Sequence, residues 1–232
     1  MARLSRLYAP RVPQLVQARL ARPLAPADAP APAEALDTIA GWLAEAARAP
    51  VSVHAWAVLP DRITLLVTPG DDQALPRLMQ ALGRRMGSGL LRARVYAGRY
   101  HNALLEPGRW VLPAMIWVES LAVATGQVSL ATQWPWSSAN EHTGLTPSGH
   151  DAASGMLRDH PDYWREGDTP FARQAAWRKR LTDGLPESQG RQIEAALLGQ
   201  WALGEKIFLS HLGRLASRRV SPAPRGRPRK TT

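Results

Sequence analysis

The stretch Val51-Ser-Val-His-Ala-Trp-Ala-Val-Leu-Pro-Asp-Arg-Ile-Thr-Leu-Leu-Val-Thr68 decides the fold. Val51 to Val58 and Ile63 to Thr68 read as two strands, and Leu59-Pro60-Asp61-Arg62 between them supplies the turn. Upstream, Leu36, Ile39, Ala40, Leu43 and Ala47 recur at helical spacing, which predicts a helix over Glu34 to Arg48. A Pro- and Ala-rich linker from Arg22 to Pro32 separates it from a first strand in Val12 to Leu20. Downstream, Leu75, Leu78, Met79, Leu82 and Met86 mark a second amphipathic helix with Arg77, Arg84 and flanking Arg85 on its outer side. A fourth strand fits Arg99 to Leu105, and a third helix fits Trp110 to Thr125, where Pro113 is tolerated in the first turn. Strand-helix-strand-strand-helix-strand is the split βαβ order. The predicted class is therefore α+β, a ferredoxin-like antiparallel sheet with helices on one face.

Charge narrows the function. The 232 residues carry a net charge of +10 and no cysteine, so thiolate metal sites, disulfides and cysteine nucleophiles are excluded. No apolar run is long enough to span a bilayer, and the N-terminus leads into Pro-rich sequence, so a cytoplasmic protein with no membrane partner is expected. From Gln73 to Leu105 there are six arginines (Arg77, Arg84, Arg85, Arg92, Arg94, Arg99) and no acid. From Lys206 to the end there are eight more basic residues, again unopposed, so the rest of the chain is net negative. A positive field localised in this way favours polyanions, nucleic acid first among them.

Several motifs then fall in order. His54 to Leu66 resembles the strand pair of the REP-associated, single-tyrosine HUH transposases, in which a Met-Pro-Asn turn leads into His-hydrophobic-His. Leu78 to Arg85 resembles their second helix, Tyr96-Ala-Gly-Arg-Tyr-His101 their fourth strand, and Trp134-Pro-Trp-Ser-Ser138 the signature after the tyrosine helix. Leu203-Gly-x-x-x-Phe208, Arg218-Arg-Val and Arg225 to Lys230 are similar to the family's C-terminal extension, so the likeness runs from about Val51 to Lys230.

The resemblance implies single-stranded DNA cleavage: two histidines hold a divalent metal, and a tyrosine on the third helix attacks the phosphate. Two imidazoles at i and i+2 of a strand share one face of the sheet, as a shared cation requires. Here those positions hold Arg62 and Thr64. The tyrosine position falls on Trp117, the polar residue one turn later on Leu121, and the Asn-Pro after the tyrosine is absent. Arginine has no lone pair to offer a metal, and an indole is no nucleophile. The resemblance thus implies a DNA-binding chain with no metal, no cofactor and no catalytic residue. The alternative is an active nicking enzyme with altered residues. Arg62 could instead hold the phosphate itself through bidentate hydrogen bonds. Tyr96 and Tyr100 are read as core or rim residues, His54 and His101 as hydrogen-bonded packing residues.

The chain is expected to divide into a transposase-like ferredoxin-fold domain over residues 1–145, a helical appendage over 146–217 and a basic, AT-hook-like tail over 218–232. Arg218, Arg219, Arg225, Gly226, Arg227, Pro228, Arg229 and Lys230 are expected to touch DNA. Arg225-Gly-Arg-Pro228 looks like an AT-hook, whose thin backbone and arginines suit a narrow minor groove. Ser138-Ala-Asn-Glu141 reads as a capping box. Trp134, Trp136, Trp164, Trp177 and Trp201 are expected to pack the appendage against the sheet. The expected partner is DNA, as single-stranded hairpin or A·T-rich duplex, with RNA hairpins suiting the same basic surface and the chain a monomer or homodimer.

Overall fold

The computed structural model describes residues 5–26, 29–47, 50–92, 94–145 and 155–222. Strands β1 (Gln14–Arg19), β2 (Val51–Leu59), β3 (Arg62–Pro69) and β4 (His101–Leu104) form one antiparallel sheet in the order β2-β3-β1-β4. Helix α1 (Ala33–Ala46) links β1 to β2, and α2 (Ala74–Met86) follows β3, so the ferredoxin-like topology is realised. The hairpin closes at Leu59↔Arg62 around Pro60 and Asp61, where the turn residues stand in the sequence.

The strand pleat divides the core in two. Val16, Val53, Trp56, Val58, Ile63, Leu65 and Val67 meet Leu36, Ile39 and Leu43 of α1 and Leu75, Leu78 and Leu82 of α2. The two crossover helices therefore lie on one face, as expected. The opposite face carries Leu15, Ala55, Ala57, Leu59 and Leu66, which pack on α3 (Val111–Glu119) and on Trp177, Ile193 and Leu197. Those three belong to α7 (Pro170–Asp183) and α8 (Glu187–Gly199), so the appendage covers the second face. Because both faces are covered, β2 and β3 are apolar almost throughout instead of alternating.

The predicted third helix divides at Ser120 into α3 and α4 (Leu121–Ala124). Helices α5 (Ala139–Thr143), α6 (Pro161–Trp164) and α9 (Lys206–Leu215) complete the described chain. None of its helices is long and apolar enough to cross a membrane.

Two local expectations are corrected. Trp134 and Trp136 are buried with α1 in the first core: Trp134 Nε1 donates to the Val58 carbonyl at 3.0 Å and Trp136 Nε1 to Asp37 at 2.8 Å. They lock the 126–138 loop to the hairpin and α1, while Trp177 alone of the five tryptophans is a core residue of the appendage. Trp164 is more than half exposed beneath the Arg173 guanidinium, and Trp201 lies beneath that of Arg218. A helix does begin after Ser138, but Ser138 makes no side-chain cap. Its Oγ accepts instead from the Trp56 N–H of β2 at 3.0 Å and donates to the buried carboxylate of Glu119 at 2.6 Å.

Candidate nucleic-acid interface

Helix α2 buries Leu75, Leu78, Met79, Leu82 and Met86 and turns its arginines outward. Two of them are already engaged: Arg77 pairs with Asp71 at 2.7 Å, and Arg85 pairs with Glu45 of α1. Arg84 has no carboxylate partner among the described residues. After Met86 the chain makes a π-helical turn, Gly87–Leu91, which ends at Arg92 in the left-handed region (φ +46°). Such a conformation is uncommon for a residue with a Cβ, and it sharply redirects the chain. The following segment returns along β1, with Ala21 donating to Val95 and Ala97 to Arg19.

Tyr96 lies flat against α2 because Gly83 leaves room; a Cβ there would come within 2.8 Å of the ring. Its hydroxyl donates to the Met79 carbonyl at 3.0 Å, and burial pushes its pKa up. Tyr100 is buried as well, and desolvation pushes its pKa up to about 12. Tyr100 sits in the core and Tyr96 packs against it, in keeping with the core or rim reading of the sequence.

Between α2 and this segment opens a cleft of about 880 Å³. Arg6, Arg84, Arg94 and Arg99 line it, with Gln80, Tyr100, His101 and Gln200, and no acid is among the described lining residues. Arg94 is braced by hydrogen bonds to the carbonyls of Tyr96 (2.9 Å) and Ala97 (2.7 Å). The Arg6 guanidinium lies 4.1 Å over the Tyr100 ring. Of the acid-free arginine run, the fold thus brings Arg84, Arg94 and Arg99 together, leaves Arg92 exposed outside the lining, and commits Arg77 and Arg85 elsewhere. Arg218 stands behind the cleft wall, where burial and the nearby Arg99 lower its pKa, and Arg219 is exposed beside it. Arg6 and Gln200 escaped the sequence reading, since only the folded chain brings them to Tyr100. The AT-hook-like Arg225, Gly226, Arg227, Pro228, Arg229 and Lys230 lie outside the described residues.

The positions matching the family's metal and nucleophile are arranged otherwise. Arg62 is held in a bidentate pair by its neighbour Asp61, with Nε at 2.9 Å from Oδ1 and a terminal nitrogen at 2.6 Å from Oδ2. Thr64 is fully buried, and its Oγ1 accepts from Gln17 at 3.1 Å. These residues do not fit a divalent cation: one is a cation without a lone pair, the other a closed neutral pair. Among the described residues no three His, Asp or Glu side chains gather into a metal site. Trp117 and Leu121 line a different cavity, of about 550 Å³, with Leu130, Leu181 and Leu185; Arg62 and Thr64 are not part of it.

His54 is a packing residue, buried with Nδ1 at 2.6 Å from the Arg158 carbonyl and Nε2 at 2.9 Å from the Thr68 hydroxyl. Burial holds its pKa down at about 4. A second polar centre was not foreseen. Glu119, 0% exposed, accepts from Ser138 (2.6 Å), from Trp177 Nε1 (2.7 Å) and from His142 Nδ1 (2.5 Å). Serine, histidine and glutamate here do not form a catalytic relay, because the serine bonds the acid rather than the imidazole, and all three are sealed from solvent. The one trace of it in the sequence is a lone acid in the apolar run Val111 to Ala124.

No family model and no curated protein matches the chain. Among solved structures it is similar to a REP-associated tyrosine transposase bound to a REP hairpin, at 16% identity over 70% of this chain and 96% of that one, with a TM-score of 0.48.

Proposed function

We propose that this protein is a transposase-like DNA-binding protein that holds a nucleic-acid hairpin in the arginine cleft and does not cut it. One observation carries the reading: four arginines line a single open cleft, and no carboxylate is among its described lining residues. Clustered cations favour a polyanion, through direct hydrogen bonds to phosphate oxygens and through counterion release. The loss of cleavage rests on Arg62, Thr64, Trp117 and Leu121, which offer neither metal ligands nor a nucleophile at the positions where the resemblance requires them. The tail from Arg225 to Lys230 adds a second, minor-groove contact in this reading.

The test uses purified full-length chain with single-stranded DNA hairpins and matched RNA hairpins, across a salt series, with Mg²⁺ or Mn²⁺ present. The expected result is binding that weakens steeply with salt and no covalent protein–DNA species. A covalent band would make the chain an active nicking enzyme, and an affinity indifferent to salt would remove the electrostatic basis of the reading. Tighter binding to the RNA hairpin would move the ligand from DNA to RNA.

A further inference from the structure

Arg6 precedes the first strand by eight positions, yet it helps to wall a cleft whose other arginines belong to residues 84–99. No helix or strand holds it there. Residues 5–9 run as irregular chain and are pinned by the opposite end of the described molecule. The Ser217 N–H donates to the Tyr8 carbonyl (2.9 Å), while its hydroxyl accepts from the Tyr8 N–H (3.0 Å) and donates to the Arg6 carbonyl (2.9 Å). Arg218 continues the contact, its Nε donating to the Ser5 carbonyl at 2.7 Å and a terminal nitrogen to the Gln200 carbonyl. Behind these bonds Leu7 and Ala9 share a small core with Leu104, Ala202, Leu212 and Val220. Ser217 therefore spends all of its hydrogen-bonding groups but its carbonyl on fixing where Arg6 sits.

We infer that the two chain ends form a clasp that completes the cleft, with Arg6 as a further phosphate-binding residue and Ser217 as the residue that positions it. This rests on the reading of the cleft as a nucleic-acid site. The clasp is short, solvent-facing at Ser217 and built on irregular chain, which places it among the less stable parts of the molecule. Its closure brings Arg6 into the same cleft as Arg84, so like charges oppose it. Arg6 Nε is also buried without an acceptor. A phosphate in the cleft reverses the balance: it cancels the repulsion and favours the closed clasp. By linkage, closure of the clasp then raises affinity for the phosphate by the same factor.

The experiment measures affinity of the full-length chain for a labelled single-stranded DNA hairpin over a salt series, with amide hydrogen exchange in parallel. Arg6→Gln, Ser217→Ala and Ser217→Thr are compared with Arg84→Gln as the cleft control. Arg6→Gln is expected to lower affinity about tenfold and to reduce the salt slope by about 0.9, the signature of one lost phosphate contact. Its melting temperature should hold or rise, because a like charge has been removed. Ser217→Ala should weaken binding about threefold, with the slope falling toward that of Arg6→Gln, and Ser217→Thr, which keeps the hydroxyl, should restore it. Hairpin binding should slow exchange at residues 6–9 and 217–218. If Arg84→Gln weakens binding while Arg6→Gln keeps the affinity and slope of the parent, the clasp is not part of the site and the cleft reading survives. If neither arginine variant changes binding, the cleft reading itself falls, and the clasp with it.

Discussion

Two places in the molecule gather polar side chains around a point, and they do so in opposite ways. Beneath the sheet, one carboxylate, Glu119, accepts from three donors on α5, α7 and the loop before α5, and nothing in the group reaches solvent. At the sheet edge, four arginines line one open cleft, and no acid is among its described lining residues. The first arrangement is closed: both carboxylate oxygens are engaged by donors of the chain itself, and only His142 Nε2 in the group is buried without a partner. The second is left open to whatever anion enters. Residue identity alone does not separate the two, since Ser, His and Glu suggest catalysis more loudly than four arginines do. What separates them is whether the hydrogen-bonding and charge requirements are met internally.

The comparison breaks most sharply at Glu119. Glu119→Ala leaves Ser138, His142 Nδ1 and Trp177 Nε1 without their buried acceptor, and a loss of about 3–5 kcal/mol is expected in chemical denaturation. The salt slope of DNA binding should stay that of the parent in whatever fraction remains folded. A milder loss in Glu119→Gln, which keeps one acceptor, would sharpen the point.

His54 tests the closed kind through pH. Its imidazole is held neutral by burial, with a pKa near 4 in the folded chain against 6.5 in the unfolded one. The unfolded chain therefore takes up the proton first as pH falls. The stabilising contribution is complete above about pH 6.5 and is lost progressively between there and pH 4, for a total of about 3 kcal/mol. Denaturant titrations at pH 7.5 and pH 4.5 should show that fall, and His54→Gln should flatten it. An unchanged pH response in that variant would mean that other groups dominate.

The open kind is tested by taking charge away. Arg84→Gln combined with Arg99→Gln should lower hairpin affinity about 10–100-fold and reduce the salt slope by about two. Loss of stability in place of affinity would make these arginines structural and erase the contrast with Glu119.

The legible parts of this molecule were the local ones. The hairpin, the helical stripes and the acid-free arginine run each lie within a few dozen consecutive residues, and they placed the sheet, α1, α2 and three of the four cleft arginines. Partnering was hidden by distance. Arg85 is neutralised by Glu45 on another helix, Arg77 by Asp71 just outside the run, and Arg6 arrives from the chain end. The Glu119 donors stand 19, 23 and 58 residues away, beyond any spacing rule. Ser138 shows the same limit from the other side: its spacing to Glu141 fits a helix cap, but its Oγ accepts from the Trp56 N–H, 82 residues away, and its hydroxyl donates to Glu119.

Arg62 lies between the two kinds, and the smallest expected effect is the most informative one. It occupies the strand position where the resemblance puts a metal ligand, and a guanidinium there could hold phosphate in the metal's place. Asp61 already engages it through two nitrogens, with the arginine side chain 19% exposed. A phosphate would have to displace that carboxylate and leave it facing a second anion, which offsets most of the gain from a new pair. Arg62→Ala should therefore change hairpin affinity by no more than about twofold, and the salt slope by much less than one. Asp61→Asn is the complementary change: it frees the guanidinium without moving it and should strengthen binding. A tenfold loss in Arg62→Ala would instead place phosphate at the position where the resemblance puts a metal ligand and merge the two regions into one continuous binding surface.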